Sequence, residues 1–190
     1  MIIKCYNENH PYLLFIDLEF NNNTLVQFSG LLFKNIDAET YQLVRSCNTY
    51  ISTKVCYPFM EYTSITTNFL IENGIALKDA IALIFDDFLL DIPLNDIMVI
   101  SHGLRNDRLI LAQNGINFTK FNDKPIDGYC TFTNARRILG RENHLTLGDI
   151  AEEAGYYIHS AHNAFMDVWA EVSVFTYLRK LEEQMKGENE

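Results

Sequence analysis

The chain has 190 residues, 48% of them apolar and 21% charged, which suits one domain with a real core and excludes an intrinsically disordered chain. A net charge of −10 argues against indiscriminate binding to polyanions, and no apolar run is long enough to cross a bilayer. The opening Met1-Ile2-Ile3-Lys4-Cys5-Tyr6 lacks a signal-peptide core, and Cys5, Cys47, Cys56 and Cys130 form no CxxC pair and no zinc spacing. A cytoplasmic protein with reduced thiols and no membrane association is therefore expected.

In chain order, residues 11–20 read as a strand, Asn21-Asn22-Asn23 favours a hairpin turn, and residues 25–34 read as the partner strand. Residues 41–51 alternate well enough for a third. Ser64 to Asn73 is expected as a short helix with Gly74 as its C′ residue. Between Leu77 and Leu90, Ile81, Ile84, Phe85 and Phe88 fall on one helical stripe that Pro93 stops. Ile97 to Ser101 is a short buried strand. Helices follow over 105–114, closed by Gly115, and over 130–139, closed by Gly140. Thr146 with Asp149 resembles a capping box opening a helix to Ala154. The last helix is predicted from near Asn163 to about Met185.

Paired strands followed by βα units predict an α/β fold, a mixed sheet with helices on its faces, in which sites gather at strand ends near helix N-termini. With no linker or repeat, one domain over 1–180 and an acidic C-terminal tail over 181–190 are expected. Charge is uneven: residues 105–141 carry +4 and the remainder −14. Arg105, Arg108, Lys120, Lys124, Arg136, Arg137 and Arg141 either meet phosphates or lie scattered on solvated helix faces.

Two acids interrupt the first long strand. Alternation puts Asp17 and Glu19 on one side, with Leu13 and Phe15 behind them. Neighbouring carboxylates in apolar surroundings repel unless a proton or cation intervenes, and oxygen ligands suit Mg²⁺ or Mn²⁺. The competing reading is an edge strand whose acids face water. Asp107 and Asp167 each fall in a predicted first helical turn, where the macrodipole alone favours an acid.

Taken together, Asp17-Leu18-Glu19, the segment His102 to Asp107, and His162-Asn163-Ala164-Phe165-Met166-Asp167 match a known order of motifs. The chain resembles the DEDD superfamily of 3′→5′ exonucleases, in the branch with a histidine in its third motif. Proofreading exonucleases of bacterial DNA polymerase III, ribonuclease T and oligoribonuclease belong to that branch. The resemblance covers about residues 11–180 and implies a ribonuclease-H-like sheet and two divalent cations, Mg²⁺ or Mn²⁺. It implies that Asp17, Glu19 and Asp167 hold the first, that Asp17 bridges to the second, and that Asp107 helps mainly through water. His162 is implied as the general base, in a turn just before the last helix. Two departures concern substrate contacts: Phe20 and Asn21 follow the first motif in place of the usual Thr and Gly, and Gly103 and Asn106 replace an Asn and an aromatic in the second. Phe20, His102 and Phe165 are the candidates for holding the terminal nucleotide, and His10, His144, His159 and Asp127 are read as structural.

The resulting expectation is a metal-dependent exonuclease that releases nucleoside 5′-monophosphates from the 3′ end of a single-stranded nucleic acid. DNA is slightly favoured over RNA, though composition does not decide it. The rivals are an inactive nucleic-acid-binding or scaffold module of the same fold and a non-nucleolytic phosphohydrolase using the same ions. Delivery by a polymerase or another partner, and homodimerisation, stay open.

Overall fold

In a computed structural model of the chain, which describes residues 1–6, 8–118, 124–141, 145–157 and 162–187, six strands form one sheet. They are β1 (Ile2–Lys4), β2 (Tyr12–Asn21), β3 (Thr24–Asp37), β4 (Thr40–Tyr50), β5 (Ile97–Ser101) and β6 (Gly128–Cys130), in the spatial order β1-β4-β3-β2-β5-β6. The first four pair antiparallel, whereas β2 with β5 and β5 with β6 are parallel. The β2–β3 turn is two residues long, and Asn22 takes a φ of 57°, which asparagine tolerates. The sheet is therefore mixed, as the order of elements predicts, and the site lies where the parallel pair ends.

Among the described residues seven α-helices accompany it: α1 (Tyr57–Thr63), α2 (Thr67–Asn73), α3 (Leu77–Ala82), α4 (Leu104–Gln113), α5 (Thr131–Leu139), α6 (Leu147–Glu153) and α7 (Ala164–Gly187). Alternation along β2 divides the core in two. Leu13 and Phe15 pack with Phe33, Val168, Phe175 and Leu178 under α7. Leu14, Ile16 and Leu18 pack on the other face with Ile84, Phe88, Leu104 and Leu111. Phe15 sits edge-on to both Phe33 and Phe175, with ring centres 5.5 and 5.4 Å away. Asp17 and Glu19 continue the first series, so the pleat that buries Phe15 also turns both carboxylates toward α7.

Several local expectations change. β1 and β6 have three residues each, too few to show alternation. The aromatic-rich α1 opens on a proline and buries only Phe59, so it has no stripe to read. Gly74 ends α2 in extended backbone rather than the left-handed conformation; a Cβ there would stand 2.5 Å from the Leu70 carbonyl and 2.6 Å from the Ser52 nitrogen. Close approach, not turn geometry, requires that glycine. The 77–90 stripe does pack inward, but α3 widens into a π-helical turn over Leu83–Phe88. The capping box of Thr146 and Asp149 is complete, and α7 continues to Gly187, past the boundary expected for the tail. None of the four cysteines is in a disulfide, and no helix among the described residues is long and apolar enough to cross a membrane.

Candidate functional site

β2 supplies Asp17 and Glu19 near its C-terminal end, and α7 supplies Asp167 from its first turn. Asn163 caps that helix: its Oδ1 accepts from the Phe165 N–H at 3.1 Å, and its carbonyl accepts from the Asp167 N–H at 3.0 Å. Carboxylate oxygens of Asp17, Glu19 and Asp167 all lie within 4.8 Å of one another. Asp107 is buried at the start of α4, accepts a hydrogen bond from Ser101 Oγ, and acts electrostatically on Asp17. It stands beside the tight group of three rather than within it.

Burial is the largest cause of strain at each of these acids. It pushes Asp17 well above the usual carboxylate range, with Asp107, Asp167 and Glu19 adding repulsion. Glu19 rises to about 7 through burial and Asp167. Asp107 rises to about 6 through burial, against the Ser101 hydrogen bond. Asp167 is raised by burial too, while His162 and the Asn163 and His162 backbone pull it back. Such a group keeps its protons unless a cation offsets the charge. Three carboxylate oxygens this close, from buried Glu19 and half-buried Asp17 and Asp167, suit a hard divalent ion.

His162 lies just outside α7, as its spacing from Asp167 predicts, with φ at 62°. Its ring lies against Tyr62 of α1, with centres 3.6 Å apart and planes inclined at 37°. Tyr62 feels the charges of Glu19 and Asp167. The Tyr50 hydroxyl, at the end of β4, hydrogen-bonds with the Asn163 side chain and feels Glu19. Neither tyrosine carries a motif, and their contacts with residues a hundred positions away leave no local signal.

The other candidates are placed as follows. The His102 imidazole is engaged with Thr131 Oγ1 at 3.0 Å and the Leu145 carbonyl at 3.3 Å, which ties the β5–α4 turn to α5 and the approach to α6. A carbonyl only accepts, so Nε2 carries a proton. Phe165 is partly buried and edge-on to Trp169, and Phe20 is partly exposed beside Glu19. Asp127 and Glu8 both hold His10, away from the acids. His144 and His159 lie outside the described residues. Of the expected basic stretch, Arg137 pairs with Glu182, Arg141 pairs with Glu153, and Arg108 donates to the Ile126 carbonyl at 2.5 Å. Two of the seven bases are thus paired within the fold, and Lys120 lies outside the described residues. Glu171, fully buried on α7, went unread in the sequence and faces Asp17 and Asp107.

No family model matches the chain, and no curated protein matches it either. Solved structures do. Exonuclease I of E. coli in complex with a dA16 oligonucleotide matches with a TM-score of 0.71 at 16% identity, covering 91% of this chain and 42% of that one. Exonuclease X in complex with 5′ overhanging duplex DNA gives 0.63 at 14% identity, covering 90% and 93%. Cell-death related nuclease 4 gives 0.66 at 17% identity, covering 90% and 64%. The chain thus spans less than half the length of exonuclease I. At these identities the likeness shows the fold, the ribonuclease-H-like α/β sheet that the motifs imply.

Proposed function

We propose that the protein is a metal-dependent 3′→5′ exonuclease of the histidine-containing DEDD branch, releasing nucleoside 5′-monophosphates from single-stranded ends. The observation that carries this reading is the meeting of Asp17, Glu19 and Asp167 within 4.8 Å, from elements 150 residues apart. Two features support it. The structures that share the fold are nucleases, two of them bound to DNA, and E. coli exonuclease I is also known in a zinc-bound form with single-stranded DNA. The second feature is His162, in the position that the third motif assigns to the base.

In this reading Asp17, Glu19 and Asp167 hold one divalent cation, Mg²⁺ or Mn²⁺, and Asp17 with Asp107 faces a second. Bound there, the cations would stabilise charge on the attacking and leaving oxygens and make a water molecule easier to deprotonate. The rest falls to the chain. His162 accepts the proton of the attacking water at a ring nitrogen, a task suited to imidazole near neutral pH. Tyr62 orients that ring by stacking on it. The Asn163 cap fixes the first turn of α7 and with it Asp167. The acidic surface favours free ends over a long duplex grip.

Digestion of 5′-labelled single-stranded DNA and RNA with Mg²⁺, Mn²⁺ or chelator tests the proposal. The expected result is a ladder shortening from the 3′ end, stopped by chelator and by Asp17→Asn. Substrate that stays full length under every condition overturns it in favour of an inactive binding module.

A further inference from the structure

One turn beyond Asp167 stands Glu171, with 0% exposure, on a helix whose other inward residues include Val168, Val172, Phe175 and Leu178. Its Oε1 accepts a hydrogen bond from the His102 backbone N–H at 2.5 Å, where β5 turns into α4. Its Oε2 is buried and has no hydrogen-bond partner among the described residues. The neighbouring charges that act on it belong to Asp17, Asp107 and Asp167.

Packing does not require a glutamate here. An apolar residue fills the space without taking an ion out of water, and a carboxylate four residues beyond another on a helix repels it. The His102 N–H needs one acceptor atom, which a glutamine also offers. The unexplained atom is Oε2. Five carboxylates share this region, and the groups acting on them are one another, the His162 imidazole, Ser101 Oγ and backbone N–H groups, with no lysine or arginine among them. Among the described residues, charge of that density has no counterpart, so its balance is sought outside the chain.

We propose that Glu171 is a fifth carboxylate of the cation centre, its unpartnered Oε2 supplying charge beside Asp17 and Asp107 for a divalent cation on that side of the cluster. This rests on the metal-dependent reading above and deepens it. Asp17, Glu19 and Asp167 form the three-acid group whose oxygens lie within 4.8 Å of one another; Glu171 stands outside it, with Asp17 and Asp107 the largest charges acting on it. Its anchor on His102 holds the β5–α4 turn, which leads into the first turn of α4 and Asp107, against α7.

Calorimetric titration of Mn²⁺ into the full chain, with melting in chelator alongside, provides the test. Glu171→Gln keeps the acceptor for His102 and removes the charge; Glu171→Asp keeps the charge and draws the acceptor back by one methylene. The expected result is Mn²⁺ binding about 10–100-fold weaker in Glu171→Gln, together with melting above wild type in chelator. Glu171→Asp should stay nearer the wild-type affinity. Unchanged Mn²⁺ affinity in Glu171→Gln, with Glu171→Asp the less stable variant, overturns the proposal and leaves Glu171 as an anchor of the turn. A wild type that takes up no Mn²⁺, like Asp17→Asn, overturns the metal-dependent reading itself.

Discussion

Two parts of the molecule meet at the candidate site, and they are built on different terms. The acid floor belongs to β2, β5, α4 and α7, whose apolar residues fill both faces of the sheet. The aromatic wall, α1 and α2 with the end of β4, rests on a small cluster of Val26, Val55, Phe59, Ile65 and Leu70 and leaves Tyr57, Tyr62 and Ile71 exposed. A displaced floor carboxylate disturbs the main core, whereas the wall can open at much lower cost. The difference teaches a division: the floor gathers the carboxylates, and the wall meets the His162 ring through Tyr62.

The strongest way to break that division is to remove a floor acid. Asp17→Asn or Asp167→Asn should lower nuclease turnover by about a thousandfold or more, a loss of roughly 4 kcal/mol of transition-state stabilisation. The chelated variants should melt no lower than wild type, since each loses a repelling charge; a large fall in melting temperature would show the acids to be structural. His162→Ala should slow turnover by about 10²–10⁴-fold and leave Mn²⁺ binding intact. Turnover close to wild type would end the assignment of that imidazole.

The wall calls for gentler changes. Tyr62→Ala removes a stack of about 0.5–1.5 kcal/mol and should lower kcat roughly two- to tenfold, with Mn²⁺ affinity and melting unchanged. Tyr62→Phe should restore kcat; failure to do so would move the role from the ring to the hydroxyl. A further effect is on stability. Burial raises the folded-state pKa of Glu19 to about 7 and of Asp107 to about 6, and raises that of Asp17 as well. The folded chain then binds more protons than the unfolded one, so metal-free stability should fall as pH rises from about 4 to about 7. At roughly 2–4 °C per kcal/mol for a chain of this size, melting curves in chelator will resolve it. Asp17→Asn should flatten the slope, and Mn²⁺ should oppose it by binding the folded state.

Much of the floor is legible in the sequence because its signals are local and periodic. Alternation through Leu13, Phe15, Asp17 and Glu19 reports both the strand and the face its acids occupy, and the spacing from His162 to Asp167 places the histidine before the helix. Glu171 escapes the same reading, since one glutamate inside a long helix looks like an ordinary solvated residue until the fold buries it. Tyr62 escapes for the opposite reason: α1 has no stripe, and its partner is a hundred residues distant. His102 is a third case: its place in the second motif offers a substrate contact, while the engagement of its ring nitrogens with Thr131 and Leu145 comes from tertiary packing alone.

One irregularity governs how wall and floor are joined. Between the Glu19–Gln27 and Phe20–Leu25 pairs, β3 holds one extra residue, Val26. Its carbonyl accepts from the Ile51 N–H at 2.8 Å, and its side chain enters the cluster beneath α1 and α2, while Leu25 and Phe28 on either side both face the main core. A single inserted residue thus gives the wall its own footing without shifting the register that aims Asp17 and Glu19. Wall and floor thus stand on separate apolar clusters, and the contacts of Tyr62 with His162 and of Tyr50 with Asn163 are what join them.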